Sequence, residues 1–488
     1  MSHPYQIPDP PSPTNPEDAA RWDHTRLRRR LLEGTWQDDL RDRYELHMGI
    51  TRARAHGELD MSSNPFRVIS RELSVLYDRA PDLRHDLERR SDVGAFMGPG
   101  GPIAGAGLWS LMGWFQSRVI GCREYLMRVD VAADGELHYR PVPPDMVLAT
   151  GDAEYPDRPV RIAEIRPRML GGKLLWTWDV YDISNAEAPS YRVHLTENGT
   201  PNGADITADV LGRTYEGDDY WYRRADGRPI LPFVLYHAQK RGDRLWDCYD
   251  GVEVVEGTIN LSIAWSYWFH ALRDASWSQR YTVNLRPAGL ATEDTTRGTR
   301  QEVTTDPATV LLLESTADAA EGGQPMVGQW TSPTDVEAME RAISAFSNRL
   351  AQDAGIPPSD IQRMGGTARS GYAISLSNAG KRSAQRRFAS QFRRHDEALV
   401  ALSATLVNRA AGSALPEDGY SVVYREISLS PSELAERRAN VIELLAAGLI
   451  DRIKGYLELN PGLTEEQARA DLAAIDGARP FPQMNRTA

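Results

Sequence analysis

The sequence predicts an α+β chain in which a β-rich region is followed by unusually long helices, and three stretches carry that prediction. Between Glu124 and His237 short apolar runs alternate with period 2 and are broken by Asp134-Gly135 and Gly171-Gly172, the signature of antiparallel hairpins. From Gly251 the pattern turns helical, with an apolar stripe wider than a single contact face requires. Between Ser332 and Gly412 two more helical patterns flank a loop rich in glycine and proline. The second of them runs for roughly 40 residues, a rod on the order of 60 Å that must lean on more than one small core.

Taken in order, residues 1–16 read as a proline-rich flexible arm. Residues 17–56 are charged, with Leu27, Leu31, Leu32, Leu40 and Leu46 interspersed, and read as one or two surface helices. Asn64-Pro65 opens a helix whose Phe66, Ile69, Leu73 and Leu76 share a face. Glycines and prolines from Gly94 to Gly107 break the chain, and the apolar stretch Ile103–Phe115 is too short to span a membrane and reads as a buried helix or loop. Tyr125–Val131 with Leu137–Val142, and Val160–Arg166 with Leu174–Tyr181, form two hairpins. Tyr191–Leu195, Tyr220-Trp221-Tyr222 and Leu231–His237 supply further strands.

The helix from Gly251 places Val252, Val255, Ile259 and Ile263 on one face and Leu261, Trp265, Trp268 and Leu272 beside them. Residues 276–333 form a small extended module with strand signals at Tyr281–Leu285 and Val310–Leu313. Ser332 as N-cap and Pro333 in the first turn start a packing helix with its seam at Val336, Met339, Ile343, Phe346 and Leu350. Gly355, Pro357 and Pro358 end it, the stretch 361–371 holds no regular structure, and the long helix runs from Tyr372 to about Ala411. Tyr420–Ile427 is a strand. Ser430 and Glu433 box the start of a helix whose Leu434, Val441, Ile442 and Leu445 face inward and which Gly448 closes. Asn460-Pro461-Gly462 turns the chain, Thr464 with Gln467 caps a last helix to about Ile475, and the tail from Gly477 is loose.

Composition narrows the function. The 488 residues exceed what one core organises, so several subdomains are expected, and 41% hydrophobic with 25% charged residues suits a soluble globular chain. The start Met1-Ser2-His3-Pro4-Tyr5 is neither a signal nor a transit peptide, and Cys122 and Cys248 read as free buried thiols, so a cytoplasmic setting without membrane contact is expected. No phosphate loop is present, since Gly171-Gly172-Lys173 is followed by Leu174 and suits a hairpin turn. The ten histidines lack metal-ligand spacing, no nucleophile elbow occurs, and pairs such as Asp38-Asp39 and Asp218-Asp219 suit solvated turns. No cofactor, metal site or catalytic residue is expected.

A net charge of −12 repels the DNA backbone except where cations gather. They gather once: Lys381, Arg382, Arg386, Arg387, Arg393 and Arg394 place six positive charges and no acid along the long helix, preceded by Arg363 and Arg369 in the loop. Such a band is either a solvated or ion-paired face, or a surface that runs near DNA.

The order of elements, together with Gly355-Ile356-Pro357-Pro358, Ser370-Gly371-Tyr372-Ala373 and the segment Ala439–Ile450, resembles the portal proteins of tailed bacteriophages. The resemblance implies a portal-type subunit: a mixed α/β wing, a helical stem, a small α/β clip and a helical crown, assembling into a ring. It implies a wing at 17–250, stem helices at 251–275 and 334–354, a clip at 276–333, a tunnel loop at 355–371, the rest of the wing at 372–429, a crown at 430–476 and a tail at 477–488. It further implies a structural, non-enzymatic protein of the virion, assembled in the host cytoplasm at one capsid vertex. Its partners would be copies of itself, twelve being the family habit, double-stranded DNA, the terminase large subunit, the major capsid protein and head-completion or tail proteins.

Under that reading Gln362, Arg363 and Arg369 face DNA in the tunnel loop, and Ile259, Ile263, Trp265, Trp268, Val336, Met339, Ile343 and Phe346 hide against neighbouring subunits. The supposed clip holds seven acids against four arginines, which suits a basic partner. Two other readings stay open: a metal-dependent nuclease using scattered carboxylates, and a tail or baseplate scaffold without DNA contact.

Overall fold

The computed structural model describes residues 9–49, 59–132, 135–197, 199–239, 244–276, 279–283, 285–287, 313–315, 326–330, 335–354, 371–425, 431–460 and 465–478. The chain opens with α1 (Pro16–Glu33), α2 (Gln37–Met48) and α3 (Pro65–Glu72). Asn15 and Asn64 cap α1 and α3 through their side-chain oxygens. The expectation of surface helices at 17–56 is corrected: Trp22, Leu31, Leu32, Trp36, Leu40 and Tyr44 are all buried. Charge misleads here because buried arginines find backbone carbonyls. Arg21 donates to the carbonyls of Pro144 (2.9 Å) and Val147 (2.6 Å), and Arg28 to those of Gly121 (2.8 Å) and Asp250 (2.6 Å).

The short strand β1 (Asp82–Arg84) had no sequence signal. Where glycines were expected only to break the chain, the short helices α4 (Ser91–Met97) and α5 (Pro102–Gly105) form, followed by the buried α6 (Leu108–Cys122). The β region matches its hairpin signals. Strands β2 (Glu124–Val131) and β3 (Leu137–Val142) pair antiparallel, and β5 (Pro159–Leu170) with β6 (Lys173–Asp182) closes on Gly171 and Gly172, both at positive φ. With β4 (Val147–Gly151), β7 (Ser190–Leu195) and β8 (Tyr215–Glu216), that hairpin makes a five-stranded sheet in the order β4-β5-β6-β7-β8. A one-turn helix, α7 (Thr207–Leu211), lies between β7 and β8. Tyr220–Tyr222 is not a strand. Tyr220 instead buries its ring and donates its hydroxyl to the carbonyl of Ile230 (2.9 Å). β9 (Phe233–His237) completes a second sheet, β3-β2-β9.

Period-2 alternation gives the five-stranded sheet two distinct faces. Ala163, Ile165, Trp178 and Val180 pack against Trp22 of α1, while Ile162 and Tyr181 point to the other side beside the buried acids Glu164 and Asp179. Arg128 of β2 reaches Glu164 (3.0 Å) and Asp179 (3.6 Å), and Arg140 and Arg168 add contacts of 2.6 and 2.7 Å. The two sheets are therefore joined by a hydrogen-bonded ion network rather than by apolar packing alone.

Two helices, α8 (Val252–Ser276) and α9 (Val336–Asp353), flank the pairs β10 (Gln279–Val283) with β13 (Met326–Trp330) and β11 (Leu285–Pro287) with β12 (Leu313–Ser315). Asp335 caps α9 by accepting from the Ala338 N–H (2.9 Å), so that helix starts a few residues later than Ser332-Pro333 suggested. The long α10 (Gly371–Ala411) lays Ala384, Phe388, Phe392, Leu399, Val400, Leu406 and Val407 into the main core, which it shares with α6, β2 and β9. β14 (Ser421–Val423) is shorter than Tyr420–Ile427 implied and pairs with β1. The last described elements are α11 (Pro431–Ala446), α12 (Arg452–Leu459) and α13 (Glu465–Ala478). Gly448 closes α11 in the left-handed conformation as expected, with Leu449 N–H bonding back to Leu444. Val441 faces inward, but Ile442 is 65% and Leu445 36% exposed, against the sequence reading.

Candidate assembly surface and basic helix face

The two helices that flank the small strands run antiparallel. Trp268 Nε1 donates to the Val336 carbonyl (3.3 Å) at one end, and Leu350 packs directly over Gly257 at the other. Glycine at 257 allows this close approach, since any Cβ there would collide with the Leu350 methyls.

The first four turns of α8 are not free for a neighbouring subunit. Ile259, Ile263 and Leu261 are buried within their own chain, against the segment 60–66 and the helices around it. The expectation that Ile259 and Ile263 hide only against copies is therefore corrected, and Ile343 of α9 is buried too. A missed sequence signal accounts for it: Thr258, Ser262 and Ser266 recur at four-residue spacing among apolar residues. Thr258 accepts from the Phe66 N–H (3.2 Å), Ser262 donates to the Ser63 carbonyl (3.1 Å), and Ser266 accepts from the Asp60 N–H (2.9 Å). A polar ladder of that kind marks a helix face that meets backbone.

Toward the strand end the picture changes. Trp265 and Trp268 stack edge to face (5.3 Å) and are half-buried, as are Val336, Met339 and Phe346 of α9. Beyond them Phe269 is 51% exposed, Leu272 37% and Met326 of β13 53%. The distal part of the helix pair thus leaves apolar side chains in water.

On α10 the five arginines of the band stand away from the buried row of Ala384, Phe388 and Phe392, whereas Lys381, seven residues before Phe388, lies on the side of that row. Arg386, Arg393 and Arg394 are exposed. Arg387 lies beside Gln239 and over the ring of Phe388 (5.4 Å), and Arg382 is half-buried. Lys381 sits at the edge of the band, 3.9 Å from Glu72. Gln362, Arg363 and Arg369, the residues expected to face DNA, lie outside the described residues, as does most of 276–333. Between β9 and α10 a cavity of about 240 Å³ is lined by Arg158, His237, Arg244, Asp247, Arg394 and His395, and burial holds the His395 imidazole down to about 3, so it stays neutral.

Cys122 and Cys248 are free and buried, as expected, and burial pushes both thiols up to about 12. Among the described residues no group of three or more His, Cys, Asp or Glu side chains is placed to share a metal ion, and no helix is long and apolar enough to cross a membrane.

No protein-family model and no curated protein matches the chain. Among solved structures it is similar to a chain of the virion of a native gene transfer agent particle, at 16% identity and a TM-score of 0.41, over 82% of this chain and 91% of that one. It is also similar to a chain of the neck of an empty gene transfer agent particle computed with C6 symmetry, at 15% identity and a TM-score of 0.44, over 82% of this chain and 90% of that one.

Proposed function

We infer that this chain is the subunit of a portal-type ring: a structural protein at one capsid vertex through which double-stranded DNA is packaged and ejected. The observation that carries the reading is the antiparallel pair α8 and α9, whose Gly257–Leu350 end packs on the chain's own body and whose strand-side end leaves Phe269 51% and Leu272 37% exposed, with Met326 of β13 53% exposed nearby. A closed ring needs each subunit to wedge such a surface against the next copy. The long α10, with its basic face exposed, supports a body beside a charged polymer, and the acidic balance of the rest keeps DNA from being gripped. In this reading the module between α8 and α9 meets the terminase and head-completion or tail proteins, and the C-terminal helices form the crown.

Native mass spectrometry and negative-stain imaging of the purified chain test it. A closed ring with a central hole that admits duplex DNA is expected. A stable lone subunit, or an open filament, overturns it.

A further inference from the structure

Asp396, at the middle of α10, is fully buried and meets three tyrosine hydroxyls and no cation among the described residues. Tyr77 touches both of its oxygens (2.9 and 2.8 Å), Tyr236 of β9 meets Oδ1 (2.9 Å), and Tyr424, just after β14, meets Oδ2 (2.6 Å). One carboxyl thus ties together the long helix, the central sheet and two segments nearly 350 residues apart in sequence.

We propose that this node is a proton-operated latch, in which the protonated Asp396 clamps α10 to the sheet and to Tyr77 and Tyr424, and the ionised form loosens that joint. An ion buried without a counter-charge is costly even with donors around it, whereas a neutral acid can donate its own proton to one hydroxyl and accept from the others. The remaining groups facing the node do not supply the missing charge. On α10, His395 is neutral, Glu397 is an acid occupied by the Val422 N–H, and Arg393 reaches only the vicinity of Tyr424. From β9 comes His237, from β3 Tyr139, whose hydroxyl meets Ser403 (2.9 Å), and beyond β14 Arg425, which pairs with Asp82 (2.9 Å). Phe392 and Trp109 close the sides against Tyr77.

Burial pushes the Asp396 carboxyl up to about 7, against the pull of the three hydroxyls. A folded-state value above the ordinary one means that stability from this group is full at low pH, declines as pH rises through the interval between the two values, and is level above the folded one. The latch does not depend on whether the chain forms a ring.

Unfolding of the full chain and of its Asp396→Asn variant, followed by denaturant across about pH 4 to 8.5, reads it out. The folded-to-unfolded ratio of the natural chain relative to the variant is expected to fall by up to about tenfold per pH unit between about pH 4 and 7, then level off. A relative ratio that stays constant across that range overturns the latch. Should Asp396→Asn fail to fold, Tyr424→Phe keeps the carboxyl and removes its shortest donor, so the decline is expected to extend to higher pH than in the natural chain. Coincident curves for those two proteins also overturn it.

Discussion

Gly257 shows how a single hydrogen in place of a methyl sets the distance between two helices. Leu350 occupies the space where a Cβ would stand, so Gly257→Ala is expected to force α8 and α9 apart. Overpacking of this kind costs about 1–3 kcal/mol, which would appear as a lower denaturation midpoint at unchanged slope. An unchanged midpoint would mean that the pair gives way without cost. Other residues at this scale were only partly legible. Gly171-Gly172 was readable because a type I′ hairpin turn demands positive φ at both of its central positions. Arg21 and Arg28 were not, since their partners are backbone carbonyls more than ninety residues away, and charge alone says surface. The Asp396 node was invisible for the same reason: its three tyrosines are scattered from 77 to 424.

At the scale of elements, the long helices were readable because their apolar rows repeat over many turns, and α10 spans the stretch that the periodicity indicated. What the period of α8 could not reveal was which partner covers it. The first turns bury against the chain's own N-terminal region, so only the far turns remain for another copy. Replacing Phe269 and Leu272 there by serine is accordingly expected to leave the folded subunit within about 0.5 kcal/mol, as exposed positions do, while weakening assembly. Light scattering after size-exclusion chromatography would show the mass falling toward one subunit with the circular dichroism unchanged. Undiminished assembly would place the contact elsewhere. The short β1 was hard to see because three residues carry too little alternation to register, whereas β14 lay within the strand read at Tyr420–Ile427.

At the scale of the whole molecule, the order of helices and sheets was legible, whereas the residues that would face DNA lie outside the described ones and the basic band has Lys381 turned toward Glu72. Under the portal reading, Arg363→Ala with Arg369→Ala is expected to leave the ring mass intact and to change the length of DNA packaged or retained. An unchanged genome length in particles carrying both substitutions would remove the loop from DNA contact. The pairing of Leu83 with Val422 has one more consequence, for how the protein is made. A ribosome must add about 340 residues after Leu83 before that partner emerges, a wait on the order of half a minute. Until then β1 stands without its hydrogen-bonding partner, and a chain truncated before Val422 could not form this pair.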